Sequence, residues 1–319
     1  MTTTPASLAE LTASLAEHHA RGERFPAPEL SALNRILEHT PEDMTVTVEA
    51  GLTLDELQAR LAPHGQWLPL DPPHDEALPL GVLLGENLSG PRRLGYGTAR
   101  DHLLGITVVL ADGRVIHSGG KVVKNVAGYD LLKLFIGARG SLGVIVAASF
   151  KLRPLPEAEQ FVEQRCDSPA QAAALIASVT ASELTPTVLD WHNLGSTAGS
   201  ATAFPGSTVV VGFAGTRAEV GWQLEVAARL GLRDPSSLEH ERRFWSGEFP
   251  AAAARTSVLP TRLREAVTQF GPLPFVARAG NGVVWHRGGS APEPKPPSPL
   301  ARRVKTAYDS KHILPDLPT

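Results

Sequence analysis

The sequence contains a single cysteine, Cys166, in 319 residues. One thiol excludes an internal disulfide framework, and it excludes an iron–sulfur cluster held by cysteines of this chain alone. Any cluster chemistry would have to be supplied by a partner protein.

The chain also lacks a long hydrophobic run and a strong excess of charge of either sign. No apolar stretch approaches the roughly 18 residues that a membrane span needs. Residues 1–25 lack the basic and then apolar order of a signal peptide. The 30 basic and 33 acidic residues give a formal net charge of −3, which is too balanced for a dedicated nucleic-acid binder. These absences predict a cytoplasmic location, no membrane span and no nucleic-acid partner.

Local patterns predict mixed helices and strands. The alternation of MTVTVEA predicts a half-buried strand over 44–50, and the capping box Thr53–Glu56 predicts the start of a helix. Asp112-Gly113 is a strong turn signal for a hairpin over 104–118. After Pro156 the order helix–strand–strand–helix, then strand–helix–strand–strand, predicts an antiparallel sheet with helices on one face.

The predicted class is α+β, and the pattern of predicted helices and strands changes near Pro154–Pro156. We expect a first domain over 1–155 and an α/β sandwich-like cap domain over 156–290. A proline-rich linker over 291–299 and a C-terminal helix within 300–319 would follow.

Three glycine-rich segments lie close together in the first half of the chain. They are LGVLLGENLSGPRR (80–93), GGKVVKNVAGYD (119–130) and GARGSLGVIV (137–146). Glycine permits a ligand to approach the backbone closely or supplies a positive φ. Any one segment taken alone is equally typical of a tight turn between strands.

In this order and spacing the segments resemble one family. The stretches that carry the resemblance are ENLSGPRR (86–93), YGTARDHLLGITVVLADG (96–113), KVVKNVAGYDLLKLFIGARGSLGVI (121–145) and, more loosely, ARAGNG (277–282). The chain is similar to the FAD-binding fold shared by vanillyl-alcohol oxidase and p-cresol methylhydroxylase (PCMH-type), and within it to the FAD-binding subunit of bacterial glycolate oxidase. LARRVKTAYDSKHIL (300–314) resembles the family's closing helix, which would return to the first domain.

The resemblance implies a non-covalent FAD that lies across the first domain, with its flavin ring at the interface with the cap domain. The pyrophosphate would be bound by Gly81, Asn87, Ser89 and Gly90, with further charge-assisted bonds from Arg92 and Arg93. Thr98 and Asp101 match positions near the cofactor. Gly140, Gly143, Val144 and Ile145 match the segment that lies along the flavin.

The sequence departs from the family pattern at three places. The family's first glycine-rich loop, of the RGGGT type, is missing, and Gly22 is the only glycine before Gly51. Pro79-Leu80-Gly81-Val82 stands where the family has Thr-Leu-Gly-Gly. Leu314-Pro315-Asp316 stands where it has Asn-Pro-Gly. Because each change removes part of a phosphate site, we predict weak or absent FAD in the isolated chain.

Candidates for substrate chemistry are fewer. A 2-hydroxy acid needs a cation for its carboxylate and a base for its hydroxyl proton. Arg278 and Arg287 are candidate cations, and His192 and His286 are candidate bases, although each is more typical of a structural residue. The tryptophans are predicted to be core or interface residues. Lys124 and Asp130 would form either an ion-pair network near the flavin or surface charge. No spacing indicates a metal site.

Two functional hypotheses remain open. In the first, the chain is an FAD-carrying oxidoreductase subunit that serves oxidation of a small 2-hydroxy acid, with a second FAD-containing dehydrogenase subunit and an iron–sulfur subunit as partners. In the second, it keeps the fold but has lost tight FAD binding, and acts as a structural or assembly subunit. A reductase of the UDP-N-acetylenolpyruvoylglucosamine type is a weaker third, because KNVAGYD and SGPRR argue against it.

Overall fold

The computed structural model describes residues 3–73, 77–120, 131–194, 206–246, 248–249, 252–288 and 296–318. The elements up to residue 154 are α1 (Leu8–Arg21), β1 (Ile36–Thr40), β2 (Thr45–Glu49), α2 (Leu54–Leu61), β3 (Gln66–Trp67), α3 (Leu80–Glu86), α4 (Arg93–Tyr96), α5 (Ala99–His102), β4 (Leu103–Val109), β5 (Val115–Gly119), α6 (Leu132–Phe135), β6 (Val144–Lys151) and β7 (Arg153–Pro154).

The first sheet has the strand order β1-β2-β6-β4-β5 and is antiparallel throughout. The predicted capping box is present at the start of α2, where the Thr53 hydroxyl accepts from the Glu56 amide and the Glu56 carboxylate accepts from the Thr53 amide. The predicted hairpin joins β4 to β5. One side of the sheet packs against α2 and α3 in a large apolar core.

The two ends of the chain meet on the first sheet. Leu11 and Leu15 of α1 are fully buried in one cluster with Ile313 and Leu314 and with residues of β4 and β6. This cluster attaches the C-terminal segment to the first half of the molecule, as expected for a returning closing helix.

The elements after residue 157 are β8 (Ala158–Cys166), α7 (Pro169–Ala181), β9 (Val188–His192), β10 (Ser207–Gly215), α8 (Arg217–Arg229), β11 (Asp234–Ser236), α9 (Glu239–Trp245), β12 (Ala253–Ser257), α10 (Leu263–Phe270), β13 (Phe275–Arg278), β14 (Val283–Arg287) and α11 (Pro299–Tyr308). The second sheet has the order β11-β8-β10-β9-β13-β14-β12 and is antiparallel. The α+β prediction, with an antiparallel sheet in the second half, is confirmed.

The two faces of the second sheet differ in chemistry because side chains alternate along a strand. One face is apolar, with Trp191, Phe213 and Phe275 fully buried beneath α7, α8 and α10. The other face carries Asp190, His192 and Arg278, and α9 packs over it. We call this second surface the polar face.

The second sheet adjoins the first half of the molecule through α4. The Gly95 amide donates to the Thr187 carbonyl at 3.2 Å, and a Cβ on Gly280 would come within 2.5 Å of Leu94. The predicted boundary at 155–156 falls between β7 and β8, which belong to different sheets. The division into domains stays a prediction. In the part of the chain that the structure describes, every helix is too short or too polar to cross a bilayer.

Candidate functional site

Two of the glycine-rich segments adjoin in the structure. The amides of Gly137 and Arg139 donate to the carbonyls of Leu84 and Gly85, both at 3.0 Å, and so dock the 137–140 turn on the C-terminal end of α3. Arg139 also pairs with Glu86 at 2.7 Å. The predicted residues Asn87 and Gly140 therefore lie on neighbouring segments.

The N-terminal end of α3 offers no free donor among the described residues. The Leu80 amide donates to Leu52 at 2.9 Å, and the Gly81 amide donates to Ala50 at 2.7 Å. The next two amides both donate to the carbonyl of Pro79. The predicted contact of Gly81 with pyrophosphate would require this hydrogen bond to break. The amide of Asn87 is likewise used, since it caps α3 in the left-handed conformation with φ of 53°.

Three predicted positions keep an available backbone donor. The amides of Ser89, Gly90 and Gly140 have no acceptor within the described ranges. Gly140 has φ of 74°, with open space where a Cβ would project. Beside it, the Ser141 hydroxyl is buried without a hydrogen-bond partner. Amides and hydroxyls that point away from protein acceptors fit the oxygens of a pyrophosphate.

Thr98 and Asp101 form a second capping box rather than an open site. The Asp101 carboxylate accepts from the Thr98 amide at 2.7 Å and from its hydroxyl at 2.9 Å. The bond from the Thr98 amide lowers the pKa of Asp101. The pair fixes α5, from which Arg100 reaches the carbonyls of Lys133 and Ile136. These residues position the backbone beside the 137–140 turn.

Gly143, Val144 and Ile145 are buried at the start of β6. A Cβ at Gly143 would lie 2.6 Å from the Val108 side chain, so the close packing of β4 on β6 requires glycine there. Val144 packs into the cluster beneath α1, and Ile145 into the core of the first sheet. A contact of their backbone with a flavin stays a prediction.

Taken together, the donors fit a bound dinucleotide at 89–90 and 140–141, with fewer phosphate contacts than the family pattern implies. Arg92 is committed elsewhere: it binds Glu159 through two nitrogens, at 2.7 and 2.6 Å, and Asp71 at 3.2 Å. Arg93 donates to the Ser89 hydroxyl at 3.3 Å.

The candidate cation Arg278 is already neutralised on the polar face. Its guanidinium is 3% exposed and binds Asp190 at 2.7 Å and Glu241 at 2.6 Å. Burial acts against the charge of Arg278, but the two carboxylates hold its pKa above the ordinary value. One atom of each group, Asp190 Oδ1, Glu241 Oε2 and Arg278 Nε, is buried without a partner. A substrate carboxylate would have to displace one of these anions.

The two candidate bases lie on opposite faces of the second sheet. His286 is directly opposite Phe275 in the register and stacks on Phe270 on the apolar face, at 4.4 Å between ring centroids. It therefore cannot act together with Arg278 on one substrate. His192 is on the polar face, where its ring stacks on His240 at 4.5 Å. Arg287 donates to the Phe244 carbonyl and lies over the rings of Phe244 and Trp245.

The sequence analysis did not identify four acidic and imidazole groups that lie on or near the polar face. They are Asp71, Asp190, His240 and Glu241. Asp190, His240 and Glu241 place possible metal-ligand atoms within 4.8 Å of one another. Both of these carboxylates already bind the Arg278 guanidinium, which supplies the positive charge at this position. Lys124 and Asp130 lie outside the described residues.

Among the tryptophans, Trp191 is fully buried, as predicted for a core residue. Trp222 is 45% exposed on α8, and the rings of Trp245 and Trp285 pack edge to face at 5.1 Å.

Comparison with known proteins agrees with this geometry. Residues 29–119 match the family described as FAD binding domain. The chain is 38% identical over 160 residues to glycolate oxidase subunit GlcD of Bacillus subtilis (strain 168), which covers 50% of this chain and 34% of that protein. It is 40% identical over 124 residues to glycolate oxidase subunit GlcE of Escherichia coli (strain K12), a match that covers 39% of this chain and 35% of that protein. It is 40% identical over 118 residues to D-lactate dehydrogenase of Archaeoglobus fulgidus, a match that covers 37% of this chain and 26% of that protein.

The fold is shared over almost the whole chain with a solved structure of alkyldihydroxyacetonephosphate synthase. The TM-score is 0.73 at 18% identity, over 98% of this chain and 76% of the other. The chain thus spans about a third of the curated relatives that it matches in sequence. Residues 29–119 therefore match an FAD binding domain, and the sequence resembles the glycolate oxidase subunits and the D-lactate dehydrogenases.

Proposed function

We propose that this chain is the FAD-binding subunit of a complex that oxidises a small 2-hydroxy acid. The observation that carries the proposal is the FAD binding domain at residues 29–119, in a chain that resembles glycolate oxidase subunits. The same similarity does not favour the alternative of an assembly subunit without cofactor.

In this proposal the amides of Ser89, Gly90 and Gly140 hold the pyrophosphate, and the Ser141 hydroxyl gains a partner. Bound FAD would supply an electron acceptor between the substrate and the next carrier. The chain's own residues bind and orient: the Thr98–Asp101 box fixes α5, and the Arg139–Glu86 pair holds the turn against α3.

The proposed partners are a second FAD-containing dehydrogenase subunit and an iron–sulfur subunit. With Cys166 as its only cysteine, this chain cannot ligate a four-cysteine cluster by itself. A carboxylate clamp formed by Arg278 is not part of the proposal, because Asp190 and Glu241 already occupy its guanidinium.

FAD titration of two matched variants tests the cofactor site. Gly140→Asp and Gly140→Asn have nearly the same shape, and both residues tolerate a positive φ. They differ by one negative charge beside the proposed phosphates. We expect the Asp variant to bind FAD at least tenfold more weakly than the Asn variant, by flavin fluorescence. Equal affinities would place the phosphates elsewhere.

Co-expression with candidate partner subunits tests the complex. The proposal predicts that this chain carries flavin in the purified assembly, in addition to the flavin of the second subunit, and that a 2-hydroxy acid reduces both. The Gly140→Asp assembly should lose the flavin of this chain and keep that of the second subunit. If an assembly forms and oxidises the acid while this chain stays free of flavin, the assembly-subunit alternative is correct.

A further inference from the structure

A cavity lies on the polar face, away from the glycine-rich segments. Its volume is about 490 Å³, within the range of small-molecule sites. It opens between α9 and the strands at the β11 side of the sheet, and His192, Thr208 and His240 line it. His192 is the last residue of β9, whereas the opposite end of β9, next to Thr187, is the end that contacts α4.

Hydrogen bonding assigns complementary roles to the two imidazoles of the cavity. His192 Nδ1 accepts from the Leu194 amide at 3.2 Å, so the neutral ring carries its proton on Nε2 and offers a donor. His240 Nε2 lies 2.9 Å from Asp190 Oδ2, so it donates there, and in the neutral ring Nδ1 is then an acceptor. Within the described residues neither remaining nitrogen has a partner, although His192 and His240 are each only 6% exposed.

The charged side chains around the cavity already have hydrogen-bond or ion-pair partners within the protein. Arg243 pairs with Glu248 at 2.6 Å, and Glu239 pairs with Arg242 at 2.5 Å. Glu163 accepts a hydrogen bond from the Ser236 hydroxyl. Burial holds the pKa of His192 well below its usual range and keeps that ring neutral. An anionic ligand would lose its hydration here without gaining an unpaired cation, since Arg243 is already paired.

We propose that this cavity binds a small uncharged polyol. One ligand hydroxyl accepts from His192 Nε2–H and donates to His240 Nδ1, because a hydroxyl is both a donor and an acceptor. Thr208, directly opposite His192 in the β9–β10 register, places a further hydroxyl on the adjoining strand. Asp190 acts as a positioning residue, since its bond to Nε2 fixes the tautomer of His240.

The test uses the full chain and two uncharged probes, glycerol and D-glucose. The side-chain ¹⁵N resonances of the histidines are followed by NMR during titration. We expect saturable shifts of the His192 and His240 signals with at least one probe. The binding constant should weaken at least tenfold in His192→Phe and several-fold in the nearly isosteric Thr208→Val. His117→Phe, on an exposed histidine of β5, should leave it unchanged.

The proposal is overturned if neither probe shifts these two signals, or if Thr208→Val and His192→Phe both bind as tightly as the wild type. Preferential saturation by glycolate or inorganic phosphate would overturn the uncharged class of ligand. If His192→Phe does not fold, Thr208→Val decides. The readout comes from the imidazoles of the cavity, so its outcome is independent of whether the chain binds FAD.

Discussion

Asp71 binds Arg92 in the first half of the chain and also interacts electrostatically with Arg278 and Glu241 of the polar face. Its carboxylate accepts from the Arg92 amide at 2.9 Å and from the Arg92 guanidinium at 3.2 Å. Its side chain is 15% exposed. Burial raises the pKa of Asp71 to about 7, although the charges of Arg92 and Arg278 oppose the rise. A carboxyl group that titrates near neutrality therefore lies between the glycine-rich segments and the buried Arg278.

The raised pKa makes stability depend on pH in a defined direction. The folded protein holds the Asp71 proton more tightly than the unfolded chain, so this group's contribution to stability is lost as the pH rises from about 4 to about 7. Between pH 5 and pH 8 we expect wild type to lose about 2.5 kcal/mol relative to Asp71→Asn, which does not titrate. Urea unfolding at several pH values measures the difference. Asp234→Asn, at an exposed aspartate, keeps Asp71 and should lose stability with pH as wild type does. Parallel curves for wild type and Asp71→Asn would contradict the assignment.

Two glycines of the 80–93 segment differ in the space around them: Gly90 is closely packed, and Gly85 is open. A Cβ at Gly90 would lie 1.6 Å from the Asp71 carbonyl oxygen, whereas one at Gly85 would meet nothing within 4 Å. We expect Gly90→Ala to lower the free energy of unfolding by at least about 3 kcal/mol, because backbone must move. Gly85→Ala, in α3, should raise it by about 0.5 kcal/mol. Equal effects of the two variants in urea titrations would show that the packing at Gly90 adapts.

At the scale of elements, α11 holds the 137–141 turn in place through one buried lysine. Lys305 is 5% exposed, and its ammonium donates to the Ser141 carbonyl at 2.8 Å and to Asp309 Oδ2 at 2.6 Å. It also donates to the carbonyls of Leu314 and Pro315. Asp309 in turn accepts from the amides of Ile313 and Leu314. The closing helix thereby connects the C-terminal segment to the turn that carries Gly140.

Removal of this lysine should destabilise the chain and loosen the turn. We expect Lys305→Met to cost about 3–5 kcal/mol in unfolding free energy, since it leaves Asp309 buried and unpaired. The double variant Lys305→Met/Asp309→Leu should recover part of the loss. Lys311→Met, on an exposed lysine, is the matched control. If the single and double variants lose the same amount, the ion pair is not the source of the stability.

The same scale shows what the sequence could predict. The capping boxes of α2 and α8, the strand β2 and the hairpin turn at Asp112-Gly113 arise from signals within four to seven residues, and all were predictable. The availability of an amide was not. Gly81 loses its donor to Ala50, a residue 31 positions away whose carbonyl direction depends on the packing of α3.

The contacts of the polar face could not be predicted from local sequence patterns, for a related reason. Asp190 and Arg278 are 88 residues apart and become direct neighbours only through the β9–β13 register. The placement of His286 on the other face follows from the same register, since one step along a strand reverses the side chain. The family resemblance identified the cofactor domain, but it could not show which charges were already paired.

At the scale of the whole molecule, one arginine connects the two sheets. Arg92 belongs to the first half of the chain, and its guanidinium binds Glu159 of β8 while lying near the rings of Trp67 and Phe161. Together with Asp71, it forms a chain of charges from the 67–71 segment to the second sheet. The relative position of the two halves, and so the shape of the interface where a flavin is expected, depends on this contact.

Arg92→Gln should therefore loosen the interface without unfolding either sheet. We expect faster hydrogen exchange at residues 67–71 and along β8, with little change in the cores beneath α3 and α7. The matched control is Arg93→Gln, which removes the bond to the Ser89 hydroxyl and leaves the contacts of Arg92 in place. Arg92→Gln should also extend the pH dependence of stability to higher pH. The pKa of Asp71 rises further in this variant, because the cation that opposes the effect of burial is gone. Exchange rates equal to those of Arg93→Gln, with an unshifted pH profile, would show that other contacts set the position of the two halves.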